Sequence, residues 1–175
     1  MLKSRIFQPP VVTFAANARQ LLDRDKFTRF VLEEALNFNI ESVRVAHCGG
    51  RTVMAFPMTV AQQSTNVFGT LHGGALMSLL DCCTTLHLAY THSGEFGHPS
   101  VDLSMGFVAS AQQGDQLVAI TRMDHSSASL VHMSMEVLLD HGLEVPEDAL
   151  FDEWLRKYRI VAQGKHIKRI APVSS

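Results

Sequence analysis

Residues 66–90 read NVFGTLHGGALMSLLDCCTTLHLAY, and this stretch decides what kind of fold the remainder has to build. From Ala75 to Tyr90 the only charged residue is Asp81, and apolar groups lie on every side of the helical wheel rather than along one stripe. A helix of that composition has to be enclosed by other elements. A carboxylate in its middle is costly unless it is paired or put to use. Asp81 is therefore either a structural acid bonded to nearby hydroxyl or backbone donors, or a reactive group. Ahead of the helix, Gly73-Gly74 leaves backbone N–H groups unobstructed by a Cβ at the positive end of the helix dipole, which suits an oxyanion. A tight turn or close helix-to-sheet packing would use the same pair.

Outward from this helix the chain alternates. Residues 17–38 carry a helical pattern with Phe27, Phe30, Val31 and Ala35 on one face. Met54, Phe56, Met58 and Val60 mark a strand over 51–60, with Pro57 making it an edge or a bulge. Val101, Leu103, Met105 and Phe107 alternate with polar or small residues, as do Val131, Met133, Met135, Val137 and Leu139. Gln116 to Met123 reads as a strand after a Gly114-Asp115 turn, and Ile160 to Ile170 as a last strand interrupted by Gly164. Helix, strand, helix and then strands at hairpin spacing predict an α+β domain with an antiparallel sheet. The predicted organisation is an apolar extension at 1–16, one domain over 17–170 and a tail at 171–175.

At 175 residues the chain is long enough for one domain, and 46% apolar against 18% charged residues supports a sizeable core. A net charge of -2 with no basic cluster argues against nucleic acid, and no apolar run of about 20 residues predicts membrane insertion. Three cysteines, Cys48, Cys82 and Cys83, do not form a disulfide framework, which implies a reducing compartment. The cytoplasm is expected. The first 22 residues, basic and free of acids but broken by Pro9-Pro10, keep mitochondrial import as the alternative. Nine scattered His lack metal-ligand spacing, and no phosphate-binding glycine loop or HExxH occurs. Neither a metal nor a nucleotide cofactor is expected. His72-Gly73-Gly74 is shared with lipase oxyanion loops, but no G-x-S-x-G accompanies it.

The string Asn66-x-x-Gly69-Thr70-Leu71-His72-Gly73-Gly74-x6-Asp81, followed by Ser100-Val101-Asp102 and Gly164-Lys165-His166, resembles the PaaI-type branch of hotdog-fold acyl-coenzyme A thioesterases. The likeness runs from about Ala35 to the last strand. It implies a long central helix wrapped by a curved antiparallel sheet, assembly into dimers or tetramers, and hydrolysis of acyl-CoA, with coenzyme A as part of the substrate and no cofactor. It further implies that the Gly73 N–H polarises the thioester carbonyl and that Asp81 is the general base or nucleophile. His72 and Asn66 shape that site, and Ser100 supports the attacking group. Gly74 belongs to the substrate-binding set. Lys165, Lys168 and Arg169 are either a solvated strand edge or ligands of the coenzyme A phosphates.

Eight residues of helix separate Gly73 from Asp81 by about 12 Å, too far for one chain to offer both groups to one carbonyl. Two antiparallel copies of the helix around a twofold axis would bring Gly73 of one subunit beside Asp81 of the other. The segment between Asp140 and Arg159 departs from the family. Pro146, Glu147, Asp148, Arg156 and Lys157, with Phe151, Trp154, Leu155 and Tyr158 on one face, predict an inserted helix at 141–158. It packs on its own sheet, lids a pocket or meets another subunit. Cys82-Cys83 reads as buried filler, and Met54, Met58, Met133 and Met135 as core or a flexible acyl pocket. Two other functions remain open: an acyl-thioester dehydratase or hydratase using His72, and a non-catalytic acyl-CoA-binding protein.

Overall fold

A computed structural model describes residues 12–48, 50–92, 98–140 and 157–170. Its helices are α1 (Val12–Arg24), α2 (Lys26–Arg29, running into a π-helical turn at Phe30–Ala35) and α3 (Gly73–Thr91). Its strands are β1 (Arg44–Cys48), β2 (Arg51–Thr59), β3 (Ser100–Phe107), β4 (Gln116–Ser126), β5 (Leu130–Leu139) and β6 (Ile160–Arg169). All pair antiparallel into one sheet of order β1-β2-β4-β5-β6-β3. The inserted helix anticipated at 141–158 lies almost wholly outside the described residues.

Helix α3 lies across the sheet and touches β2 through β6, so the apolar positions read in its sequence find partners. Leu79, Leu80, Leu86 and Leu88 are fully buried, together with Met54 and Phe56 of β2 and Met133, Met135 and Val137 of β5. Each such side chain contributes about 1.5–3 kcal/mol by leaving water. Close approach of helix and strand is possible because residue 164 is glycine. A Cβ there would lie 2.5 Å from Leu80 Cδ2 and 3.1 Å from the Ser104 carbonyl. Gly164 therefore does not interrupt the last strand: β6 runs unbroken through it.

Three further expectations are corrected. Residues 17–38 form several pieces, because Asp25 caps a new helix by accepting from the Thr28 N–H, and the π turn, with Leu36 N–H bonded to Val31 O, shifts the helical phase. Leu32 and Leu36 consequently face the core, while Phe27 and Phe30 are exposed. Pro57 lies on an interior strand, but β1 pairs only as far as Ala55, so the missing Pro57 N–H faces a side without a ladder partner. In β3 a bulge between Ser100 and Asp102 breaks the alternation. Val101 is left exposed, and Ser100 sits opposite Lys168 on the helix-facing side of the sheet.

Candidate active site

The loop leading into α3 is built by Asn66. Its Oδ1 accepts from the Phe68 and Thr70 N–H groups at 2.9 and 3.3 Å, and its Nδ2 donates to Thr70 Oγ1 at 2.8 Å. Gly69 takes a φ of 74°, which a side chain would disfavour, and its N–H closes the turn on Asn66 O. His72 is the N-cap, its Nδ1 accepting from the Gly74 N–H at 2.8 Å. Gly74 thus spends its N–H inside the cap and offers a substrate none. The Gly73 N–H makes no hydrogen bond to a described residue, and the Phe107 ring lies 3.3 Å from where a Gly73 Cβ would stand. One open donor at a helix N-terminus is what a developing oxyanion requires.

Two turns further along, Asp81 meets a second group of residues. Its side chain is 47% exposed, so the expected carboxylate inside an enclosed helix is corrected: α3 leaves this face half open. Asp81 Oδ1 lies 3.2 Å from Lys168 Nζ, 3.3 Å from Ser100 Oγ and 3.8 Å from His166 Nε2. Both basic partners are deeply buried, because His166 and Lys168 alternate with Lys165 and Arg169 on β6 and share the inward side with Gly164. Lys168 Nζ also reaches Ser100 Oγ at 3.3 Å and the His98 carbonyl at 3.4 Å. Three acceptors match the three N–H bonds of an ammonium.

Proton positions follow from this network. Thr84 Oγ1 lies 2.7 Å from the Leu80 carbonyl, an attractive contact only if the threonine proton points there. His166 Nδ1, 2.6 Å from the same oxygen, must then be the donor to Thr84. Burial first, and the Lys168 charge second, push the His166 imidazolium down to about 4, so the ring is neutral at pH 7 and its Nε2 is an acceptor. Ser100 Oγ, 2.9 Å from Nε2, gives its single proton to His166. Ser100 therefore presents lone pairs beside Asp81. Two acceptors with one ammonium between them can receive both protons of a water molecule.

The structure thus gathers Asp81, Ser100 and Lys168 at one point and Asn66, His72, Gly73 and Gly74 at the other end of the same stretch. Lys165 and Arg169 are exposed on the outer side of β6, whereas Lys168 is neither solvated nor at a free edge. Sequence reasoning quoted His166 only within the family resemblance, giving it no role, and missed Thr84. The period-2 spacing of Gly164, His166 and Lys168, and Thr84 one turn after Asp81, were the available signals. Cys82 and Cys83 are buried, and burial raises Cys82 to about 12, fitting their reading as filler. Among the described residues no group of three His, Cys, Asp or Glu is placed to hold a metal ion, and no helix is long and apolar enough to cross a membrane.

A long helix enclosed by one antiparallel sheet, with an open backbone donor at its N-terminus and a carboxylate on its open face, defines a hotdog-fold domain. Residues 68–145 match the model of the Thioesterase superfamily. The chain is 29% identical over 113 residues to acyl-coenzyme A thioesterase 13 of Mus musculus, covering 65% of this chain and 69% of that protein. Zebra fish thioesterase superfamily member 2 superposes with a TM-score of 0.64 at 23% identity, over 94% of this chain and all of that one. The E. coli PaaI protein of the phenylacetic acid degradation operon gives a TM-score of 0.57 at 20% identity, over 90% and 94%. These two structures share the fold. The superfamily match and the curated relative, both thioesterases, support a thioester hydrolase.

Proposed function

We propose that the chain hydrolyses acyl-CoA thioesters to a free acid and coenzyme A, at a site completed by two subunits. The observation that carries this reading is the unbroken run of α3 from Gly73 to Thr91, which holds the backbones of Gly73 and Asp81 about 12 Å apart along its axis. In one subunit they cannot meet across a thioester carbon. Support for a second copy comes from β3, which ends the sheet and carries exposed Val101 and Phe107, with Val108 following it and Val67 and Phe68 in the loop before α3. A free strand edge flanked by apolar side chains is a pairing surface.

In this reading the thioester carbonyl oxygen lies on the Gly73 N–H of one subunit, with the second amide proton of Asn66 beside it. A water bridging Asp81 and Ser100 of the partner loses a proton to Asp81 as its oxygen attacks the carbonyl carbon, and the C=O electron pair moves onto the oxygen held by Gly73. Collapse re-forms the carbonyl, breaks the C–S bond, and returns the proton from Asp81 to the coenzyme A thiolate. Alternatively, Asp81 attacks the carbonyl directly, expelling the thiolate, and water then hydrolyses the mixed anhydride. His72 keeps the loop in shape by capping Gly74, so it is poorly placed to serve as the base of a dehydratase, and among the described residues the imidazole beside Asp81 is the buried His166.

Thiol release tests this. Wild-type protein offered acyl-CoAs from short to long, with free thiol read by a chromogenic disulfide, should release coenzyme A in an Asp81-dependent manner. Binding without release would mark a non-catalytic acyl-CoA binder, and loss of conjugated enoyl absorbance without release would mark a hydratase.

A further inference from the structure

We propose that Lys168 is a positioning residue of this site, which fixes the Asp81 carboxylate against Ser100 and supplies its counter-charge when substrate covers it, and that it does not bind a coenzyme A phosphate. The inference deepens the thioester-hydrolysis reading and rests on it. The Lys168 side chain is 4% exposed, and its three donors are already spent on Asp81 Oδ1, Ser100 Oγ and the His98 carbonyl. A phosphate would find no N–H without dismantling that set.

The ammonium stands where the chemistry needs a counter-charge. Around the Asp81 carboxylate lie Ser100 and the His98 carbonyl on the β3 side, His166 and Lys168 from β6, and Cys82 on its own helix, with Asp25 ahead of α2 acting on Cys82 from farther away. His166 is neutral, leaving Lys168 as the cation in contact with the carboxylate among the described residues. In the isolated subunit, water still reaches half of the Asp81 side chain. An acyl-CoA and a partner subunit seated over it would remove that water, leaving Lys168, among the described residues, to offset the carboxylate's lost hydration. Burial works against the Lys168 charge and the Asp81 contact supports it; the ammonium is already held by its fixed contacts before substrate arrives, with no reorganisation during the reaction. The β3 bulge, which turns Ser100 onto Lys168, adds the second fixed point.

Lys168→Met and Lys168→Arg in the full chain test the proposal, with kcat and KM measured on an acyl-CoA and on the matching acyl-pantetheine, which lacks the nucleotide and its phosphates. Lys168→Met is expected to lower kcat on both substrates by about tenfold or more with KM within about threefold. Lys168→Arg should recover part of the loss, and the acid limb of the kcat profile should move to higher pH. In an Asp81→Asn background the same change should add less than about threefold, because its route is gone. A rise in KM for acyl-CoA alone, with kcat kept, would overturn the proposal and restore the phosphate ligand. A full loss in the Asp81→Asn background would also overturn it. Lys168→Gln replaces the methionine variant if that one unfolds. Wild-type protein that releases no thiol from any acyl-CoA would sink the hydrolysis reading instead. Crystal structures of wild type and Lys168→Met would then still report Lys168: the Asp81 carboxylate leaves Ser100 in the variant if the positioning is right and keeps its place if it is not.

Discussion

Gly164→Ala probes the contact that sets the distance between α3 and the sheet beneath the site. The added methyl would stand 2.5 Å from Leu80 Cδ2, 3.3 Å from Leu80 Cδ1 and 3.1 Å from the Ser104 carbonyl, where ordinary contact begins at 3.4 Å. Leu80 is fully buried, and the Ser104 oxygen belongs to the backbone of β3. Either the helix lifts or β3 and β6 spread. Overpacking of this kind costs about 1–3 kcal/mol, and the entropy saved by replacing glycine returns about 0.4–1 kcal/mol. A net loss of about 1–2 kcal/mol corresponds to a fall in Tm of about 2–8 °C at this chain length. Thermal unfolding followed by circular dichroism reads it directly. Because Leu80 is the residue struck, the penalty should shrink by about half or more in a Leu80→Ala background. A Tm at or above wild type, or the same decrement in both backgrounds, would refute the idea that glycine is there to admit the helix.

Asp81→Asn keeps the shape of the side chain but removes the base, so kcat on a responsive acyl-CoA should fall by about 10²–10⁴ with Tm preserved. A folded variant keeping more than half of wild-type kcat would remove Asp81 from the chemistry. Stability should decline in acid through two histidines. Burial holds His87 at about 3 and His166 at about 4 against an ordinary 6.5, so the unfolded chain binds their protons first; stability is complete above about 6.5 and drains as pH falls through 4 toward 3. Urea midpoints from pH 7 to 4 test this, and His166→Gln should flatten the slope; an unchanged slope in both His166→Gln and His87→Gln would contradict the assignment. With Cys82 raised to about 12 by burial and Cys83 raised well above its ordinary value, a Cys48→Ser variant should show no thiol reactive toward a disulfide reagent at pH 8 until it is unfolded.

Where side-chain periodicity alone determines an element, the sequence was readable. The enclosed helix, the alternating runs of β3 and β5, and the hairpin spacing led to the antiparallel sheet, and a lone acid among apolar residues pointed to Asp81. What escaped reading depends on local backbone events. The cap at Asp25 and the π turn after it rotate the helical phase, turning Phe27 and Phe30 outward where an unbroken helix would bury them. The β3 bulge brings Ser100 to Lys168, which no strict alternation could indicate. The five residues of β1 are too few for a periodic signal, with Arg44 and His47 among them. The solvated-edge reading of Lys168 fails for another reason: a lysine is ordinarily solvated, and only its position two residues after His166 and four after Gly164 reveals that it faces inward.

Subunit complementation tests the composite site most directly. Asp81→Asn removes the attacking group, and Gly73→Val blocks the oxyanion donor, since its side chain would strike the Phe107 ring 3.3 Å away. Each variant alone should be inactive. When the two are co-assembled in equal amounts, half of the dimers are mixed, and each of these carries one site with both intact groups. About one quarter of wild-type activity should therefore return. Mixed dimers that form, as shown by differential tags, yet remain as inactive as their parents would contradict the account, as would full activity from a wild-type monomer.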